Sequence, residues 1–466
     1  MNVQSFGFLA FLLLTAALCP ALARRRPAAG RRVLVLACLV FYMAGGGWAA
    51  LLVLSLGLAV SWSAVRGLTA DPSRKQLALL AAAWHIGVLA LFKYAAFFTG
   101  GAFSTGWAPL GLSFFTFQQL WLLREAYTGG FRPGPGDSLV LYAFFFPSVV
   151  SGPILKPQRF FPQLRGEGFL RPESRDLAAA LWSIAAGMSK KVLLADNLGL
   201  IAAAGWERLA ELSAPAAWLV ILAYTLQLYL DFSGYCDIAA GAARLLGIRL
   251  PVNFDAPYRS LSVGEFWKRW HITLTSFLRE CLYFPLGGSR HGAVRTYGNI
   301  LIVFLISGLW HGAGWTFLAW GGLHGLAQIL ERLWGPGRDK LPRLLRWALT
   351  FAFVNAAWVF FRAPGLSEAL RLLRTAVTLD LRPPAPWLME SVFPKEAAAL
   401  HILLPGLTPW RGLLFGLPLF GAALLVSLRG ARDFRPTLRG CVLLALSAAW
   451  AILSFTGVAT FIYSNF

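Results

Sequence analysis

The stretch LIVFLISGLWHGAGWTFLAWGGLHGLAQ, residues 301–328, decides how this chain is read. It stays apolar for longer than the ~20 residues a helix needs to cross a bilayer, yet it carries His311 and His324. Ser307, Gly308, Gly312 and Gly314 surround His311. Glycine lets another backbone or a ligand come close. A titratable side chain at that depth is costly. It marks either a site or a neutral histidine hydrogen-bonded to a neighbouring helix, and the choice rests on the rest of the chain.

Of 466 residues, 57% are hydrophobic and only 14% charged, too little polar surface for a soluble protein of this length. Repeated apolar runs make the chain an all-α polytopic membrane protein, read as a single unit over 1–466 with no large soluble domain. The formal charge of +21 comes from 42 basic against 21 acidic residues. The bases fall in short loops between apolar runs. That pattern holds loops on the cytoplasmic side and against anionic membrane lipids, and it excludes a nucleic-acid partner. Cys19, Cys38, Cys236, Cys281 and Cys441 form no CxxC pair and read as small buried hydrophobes.

Taken in order, residues 6–22 are apolar and are followed by Arg24, Arg25, Arg26, Arg31 and Arg32. Charge after the run favours a retained helix, N-terminus outside, over a cleaved signal peptide. Gly45–Gly47 should break 33–65 into two helices. Residues 77–98 carry His85, read as structural, and Lys93, read as snorkelling to the interface. Residues 109–127 place Gln118, Gln119, Arg124 and Glu125 inside a less hydrophobic helix. Pro147, Pro153 and Pro157 forbid a long helix across 139–164 and predict a re-entrant segment packed on protein.

Lys190 and Lys191 interrupt a helix over 176–204. They read as an interfacial snorkelling pair or, alternatively, as a phosphate contact for an anionic donor. The span 216–230 ends in DFSGYCDIA, where Asp231 and Asp237 would suit the proton relay of a transporter. Residues 247–295 are the least membrane-like. Ser262 and Glu265 form a capping box that starts a helix with Trp267, Lys268, Arg269, Trp270 and His271, expected at the interface. Residues 347–361, 411–428 and 438–463 complete about eleven spans, with a proline-rich outer loop over 383–409. Arg429, Arg432, Arg435 and Arg439 mark a cytoplasmic turn between the last two.

His271 and His311 are the two histidines in polar neighbourhoods, forty residues apart, and could line one cavity reached from either face. A buried imidazole could take the proton of an acceptor hydroxyl as that oxygen attacks an activated acyl group. The histidine spacings match no HxxxH or HExxH metal pattern, and no GxSxG elbow is present.

The block YLDFSGYCDIAAGAARLLGIRLPVNFDAPYRSLSVGEFWKRWHITLTSFLRECLYFPLGG, residues 229–288, resembles the core of the membrane-bound O-acyltransferases. SGLWHGAGWTFLAWGGLHG resembles the histidine motif of that family. PLGLSFFTFQ, FFPSVVSGPILKPQRFFPQL and GMSKKVLLADNL are similar to further motifs of its alginate O-acetyltransferase-like bacterial branch, in the same order. The likeness spans about 109–325, with C-terminal spans and an outer loop over about 344–466. Cys236, Cys281 and the ending FIYSNF depart from the pattern.

The resemblance implies a ring of short or tilted helices around a central tunnel, in a bacterial inner membrane. It implies acyl transfer from acetyl-coenzyme A or an acyl carrier protein thioester toward an envelope polysaccharide, with an SGNH-type acetyltransferase partner outside. His311 would then be the catalytic base, or the group that receives the acyl chain, and His271 would orient or bind substrate. Asp231, Tyr235, Asn253, Tyr258, Glu265, Trp267, Arg269, Trp270 and Trp310 would line the tunnel or support it. D-alanyl transfer to teichoic acid, and a transporter without covalent chemistry, are the alternatives.

Overall fold

The structure, a computed structural model, describes residues 5–130, 134, 136–430 and 436–455. FIYSNF, Arg432 and Arg435 lie outside the described residues. The helices that position the site are α1 (Phe6–Arg25), α2 (Pro27–Ala70), α3 (Lys75–Phe98), α4 (Leu112–Tyr127), α5 (Gly136–Phe144), α6 (Ser174–Glu207) and α7 (Ala214–Arg244). They continue with α8 (Val263–Arg269), α9 (Ile272–Leu278), α10 (Gly292–His311), α11 (Trp315–Trp334), α12 (Arg343–Arg362), α13 (Leu366–Ala376), α14 (Pro405–Ser427) and α15 (Leu438–Leu453). No strand occurs among the described residues.

Among the described residues, eight helices are long and apolar enough to cross a membrane: α1, α2, α3, α6, α7, α10, α12 and α14. The protein is a multi-pass membrane protein. The break expected at Gly45–Gly47 is present: α2 is two helices joined across a kink at Gly47, which leaves helical geometry at φ 78°, a conformation glycine adopts without steric cost. Alternate helix ends gather arginines, from Arg24 and Arg25 through Arg244 and Arg249 to Arg343 and Arg346. They define an arginine-rich face.

α7 is the axis of the fold. Its most apolar window is 78% buried, against 22–44% in the other seven spans. α6 runs antiparallel along it, with Gly187 against Gly234 and Ala180 against Gly241. Here the interfacial reading of Lys190 and Lys191 is corrected: both sit at the midpoint of α6, in a π-helical turn over Ser189–Ala195. Lys190 Nζ lies 2.6 Å from Asp237, and Lys191 Nζ lies 2.6 Å from Asp231 and 2.7 Å from Asp196. Lys191 and Asp231 are almost wholly buried. Charges at that depth persist because each has its counter-charge. His85 has a polar partner on α2: its Nε2 is 2.8 Å from Ser61 Oγ.

Two segments dip in from the arginine-rich face and return. The first follows α5. It turns over 146–151, runs extended over 152–156 and is buried for most of its length, as its prolines predict. Its backbone groups find protein partners, as they must away from water. Tyr235 Oη accepts from the Ser151 amide and donates to the Pro147 carbonyl, Tyr142 Oη donates to the Leu155 carbonyl, and the Ile154 amide donates to Thr273 Oγ1. The second contains α8 and α9. The capping box forms: Ser262 Oγ accepts from the Glu265 amide at 2.9 Å, while Glu265 reaches back to the Leu261 amide at 2.8 Å. The helix it starts is not interfacial. Phe266, Trp267, Trp270 and His271 are all under 5% exposed, because the aromatic side chains face α7, α11 and α12 instead of lipid headgroups.

α10 and α11 form a tight antiparallel hairpin. A Cβ on Gly308 would sit 2.3 Å from the Phe317 carbonyl oxygen, and one on Gly321 would sit 2.3 Å from that of Phe304. Only backbone-to-backbone packing allows this approach. It sets His311, the last residue of α10, against Trp320 on α11.

Candidate functional site

His311 lies at the end of α10 away from the arginine-rich face, 1% exposed. Its ring is enclosed by Trp310 at 4.7 Å, Trp320 at 5.1 Å and Phe361 of α12 at 5.1 Å between centroids. His271 packs on the same indole, Trp310, with ring centroids 6.2 Å apart. The fold thus joins the two histidines that sequence places forty residues apart, through one indole. His324, two turns beyond Phe317 on α11, completes an aromatic cage with Trp320 at 5.0 Å.

His271 is the N-cap residue of α9 and adopts a left-handed backbone, φ 43°, ψ 54°. For a non-glycine residue this costs on the order of 1–3 kcal/mol. Asn253 holds it there. The Asn253 carbonyl accepts from the Ile272 amide at 3.0 Å, and its Oδ1 accepts from the Thr273 amide at 3.1 Å and Thr273 Oγ1 at 2.9 Å. His271 Nδ1 lies 3.2 Å from the same Oδ1. With an amide oxygen as acceptor, Nδ1 carries the proton and Nε2 keeps the lone pair. His324 is tied differently: its Nδ1 accepts from Trp267 Nε1 at 3.2 Å.

The remaining residues singled out from sequence are scaffolding around this cage. Tyr235 pins the first re-entrant segment. Tyr258 Oη donates to the Thr225 carbonyl at 2.6 Å. Glu265 and Arg269 pair at 3.0 Å, and Arg269 also reaches Asp255. Trp270 packs on Trp358 at 4.9 Å. Trp310 stacks on Phe117 at 5.0 Å, and its Nε1 donates to the Ser113 carbonyl. Asp231, Lys190 and Lys191 stand apart from the histidines in the ion pairs of α6 and α7.

Two cavities open toward the arginine-rich face and share Arg279. One, about 500 Å³, is lined by Lys156, Arg159, Arg249, Thr273, Arg279 and Glu280. The other is a slot of about 160 Å³ between α9, α10 and α11, with Arg279 and Arg332 among its lining and Ser307 on its α10 wall. Ser307 lies one helical turn before His311. Ser307 Oγ, Thr275 Oγ1 and Tyr283 Oη line this slot, are buried and make no hydrogen bond among the described residues. Such groups are costly to bury unless something pairs with them. A third cavity, about 400 Å³, lies beside Lys191, Gln227 and Arg362. His311 is not among the lining residues of these three cavities.

Among the described residues no group of three or more His, Cys, Asp or Glu could hold a metal ion. Sequence reasoning did not single out Thr275 and Tyr283, which line the slot, or Phe361, which packs on His311; none of the three carries a local signal.

The family model for MBOAT, the membrane-bound O-acyltransferase family, matches residues 138–366. The chain is 38% identical over 335 residues to a peptidoglycan O-acetyltransferase of Helicobacter pylori, covering 64% of this chain and 63% of that protein. It is 40% identical over 271 residues to a probable alginate O-acetylase of Azotobacter vinelandii, covering 57% and 52%. A probable alginate O-acetylase of Pseudomonas putida is 36% identical over 339 residues, covering 68% and 67%. The chain thus spans about half to two thirds of the length of these relatives.

Proposed function

The chain belongs to the membrane-bound O-acyltransferase family, and from that premise we propose that it moves an acetyl group from a thioester donor to a hydroxyl acceptor for O-acetylation of an envelope polysaccharide. The donor, acetyl-coenzyme A or an acetylated acyl carrier protein, meets the arginine-rich face, which is the cytoplasmic face of a bacterial inner membrane. Its phosphates sit near Arg279 and Arg332, and its arm enters the slot that ends at Ser307. The acceptor, a sugar hydroxyl or the serine of an SGNH-type partner protein, arrives from the opposite face.

His311 takes the proton of the acceptor hydroxyl. The oxygen attacks the thioester carbonyl, the new C–O bond forms, the C–S bond breaks, and the proton passes from the imidazolium to the departing thiolate. His271, oriented by Asn253, holds the donor side of the cage. The observation that carries this reading is the convergence of His271 and His311 on Trp310, one turn from the end of a slot lined by hydroxyls with no partner among the described residues. A transporter using Asp231 and Asp237 is less well supported, since both carboxylates are held by lysines.

The test uses the full chain in proteoliposomes with labelled acetyl-coenzyme A or acetyl-loaded acyl carrier protein and the host's envelope polysaccharide. The expected product is an acetyl ester released by hydroxylamine. Label crossing the membrane without ester formation would overturn the reading. Transfer of D-alanine but not acetyl would replace the substrate and keep the enzyme.

A further inference from the structure

Lys93 does not snorkel. α3 changes to a π-helical turn over Ala90–Tyr94, and the extra residue in that turn re-aims the side chain inward. Lys93 Nζ donates to Ser113 Oγ at 3.1 Å and to the backbone carbonyl of Trp310. That carbonyl belongs to the last turn of α10, where carbonyls lack intrahelical partners. The amide four residues on, Gly314, goes to the Gly312 carbonyl instead. Ser113 closes the arrangement, because its own carbonyl accepts from Trp310 Nε1 at 3.3 Å. A lysine at a helix C-terminus is also favoured by the helix dipole.

One amino group therefore ties α3 and α4 to the turn of α10 that carries His311. We propose that Lys93 is a positioning residue for acyl transfer: through the Trp310 carbonyl it fixes the angle at which His311 faces the reacting carbonyl. This rests on His311 being the base in the reading above. A residue that only stabilised the fold would change the amount of folded protein and leave the turnover of each folded molecule alone. A positioning residue does the reverse, because a small misplacement of a reacting group costs rate without weakening substrate binding.

The experiment compares wild type, K93M and S113A as full chains in proteoliposomes, with acetyl-coenzyme A and acetyl-loaded acyl carrier protein as donors. K93M should lower kcat by about 30-fold or more per folded molecule and leave the donor KM within about threefold. S113A should lower kcat by about three- to tenfold. In a His311→Ala background K93M should cause no further loss, because the group it positions is gone. Amide exchange should rise about tenfold or more in residues 309–314 of K93M while peptides from α6 and α12 keep wild-type rates.

A K93M kcat within about threefold of wild type, or a uniform rise in exchange across the chain, would overturn the proposal. Where K93M does not fold, S113A decides, and an unchanged S113A kcat counts against it. If wild type turns over neither donor, the enzymatic reading fails, and a local exchange change at 309–314 would still uphold the clamp.

Discussion

Two regions of this protein bury titratable groups in the membrane-spanning body, and they do so in opposite ways. Between α6 and α7, Lys190 and Lys191 meet Asp237, Asp231 and Asp196, and every charge has a partner. Around the end of α10, three histidines are packed among tryptophans and phenylalanines. The lysine joined to that turn, Lys93, is bonded to a backbone carbonyl and to a serine. The first arrangement is what buried charges need in order to stay charged. The second surrounds imidazoles with rings that do not fix a charge on them, which suits a group that must both take and give a proton. Depth in the membrane does not separate structure from chemistry; the partner does.

The sharpest break in this comparison comes from His311→Ala. It should lower acetyl transfer by about 10²–10⁴-fold with melting temperature near wild type, measured as ester formed per folded molecule. Asp231→Asn should do the opposite. Breaking a buried pair destabilises by about 3–5 kcal/mol, seen as a lower melting temperature, while folded molecules transfer acetyl at close to the wild-type rate. If Asp231→Asn removes transfer without touching stability, the two regions are not as distinct as the geometry indicates.

Gly308→Ala probes the hairpin that holds the histidine cage. A Cβ there would meet the Phe317 carbonyl oxygen at 2.3 Å, and overpacking of this kind costs about 1–3 kcal/mol. Thermal unfolding should report that loss, with transfer reduced further because Trp320 moves off His311. Tyr235→Phe is the smallest change. It removes hydrogen bonds to the Ser151 amide and Pro147 carbonyl, worth about 1 kcal/mol each, and should lower the melting point slightly with little effect on rate.

Much of this fold is legible from residues alone. Hydrophobic runs give the membrane class, Gly47 the kink in α2, three prolines the first re-entrant segment, and Ser262 with Glu265 the start of α8. The misplacements share one physical cause. Read from sequence, Lys93, Lys190, Lys191 and the Trp267–His271 segment all go to the interface, because water is the default partner for a polar group in an apolar run. Each instead finds a partner from a helix distant in sequence: Trp310, Asp237, Asp231 and His324. Pairing of that kind depends on tertiary packing and leaves no local periodicity to read. The junction of His271 with His311 through Trp310 is equally invisible in spacing. The resemblance to a family suggests the residues, and the fold supplies their proximity.

The central claim is that the donor reaches His311 from the arginine-rich face through the slot between α9, α10 and α11. Vesicles of a single orientation, with labelled acetyl donor supplied on one side only, test it directly. Ester should form when the donor is on the face bearing Arg279 and Arg332, and an Arg279→Ala, Arg332→Ala variant should need about tenfold more donor. Ester formed from donor on the opposite face alone would contradict the account.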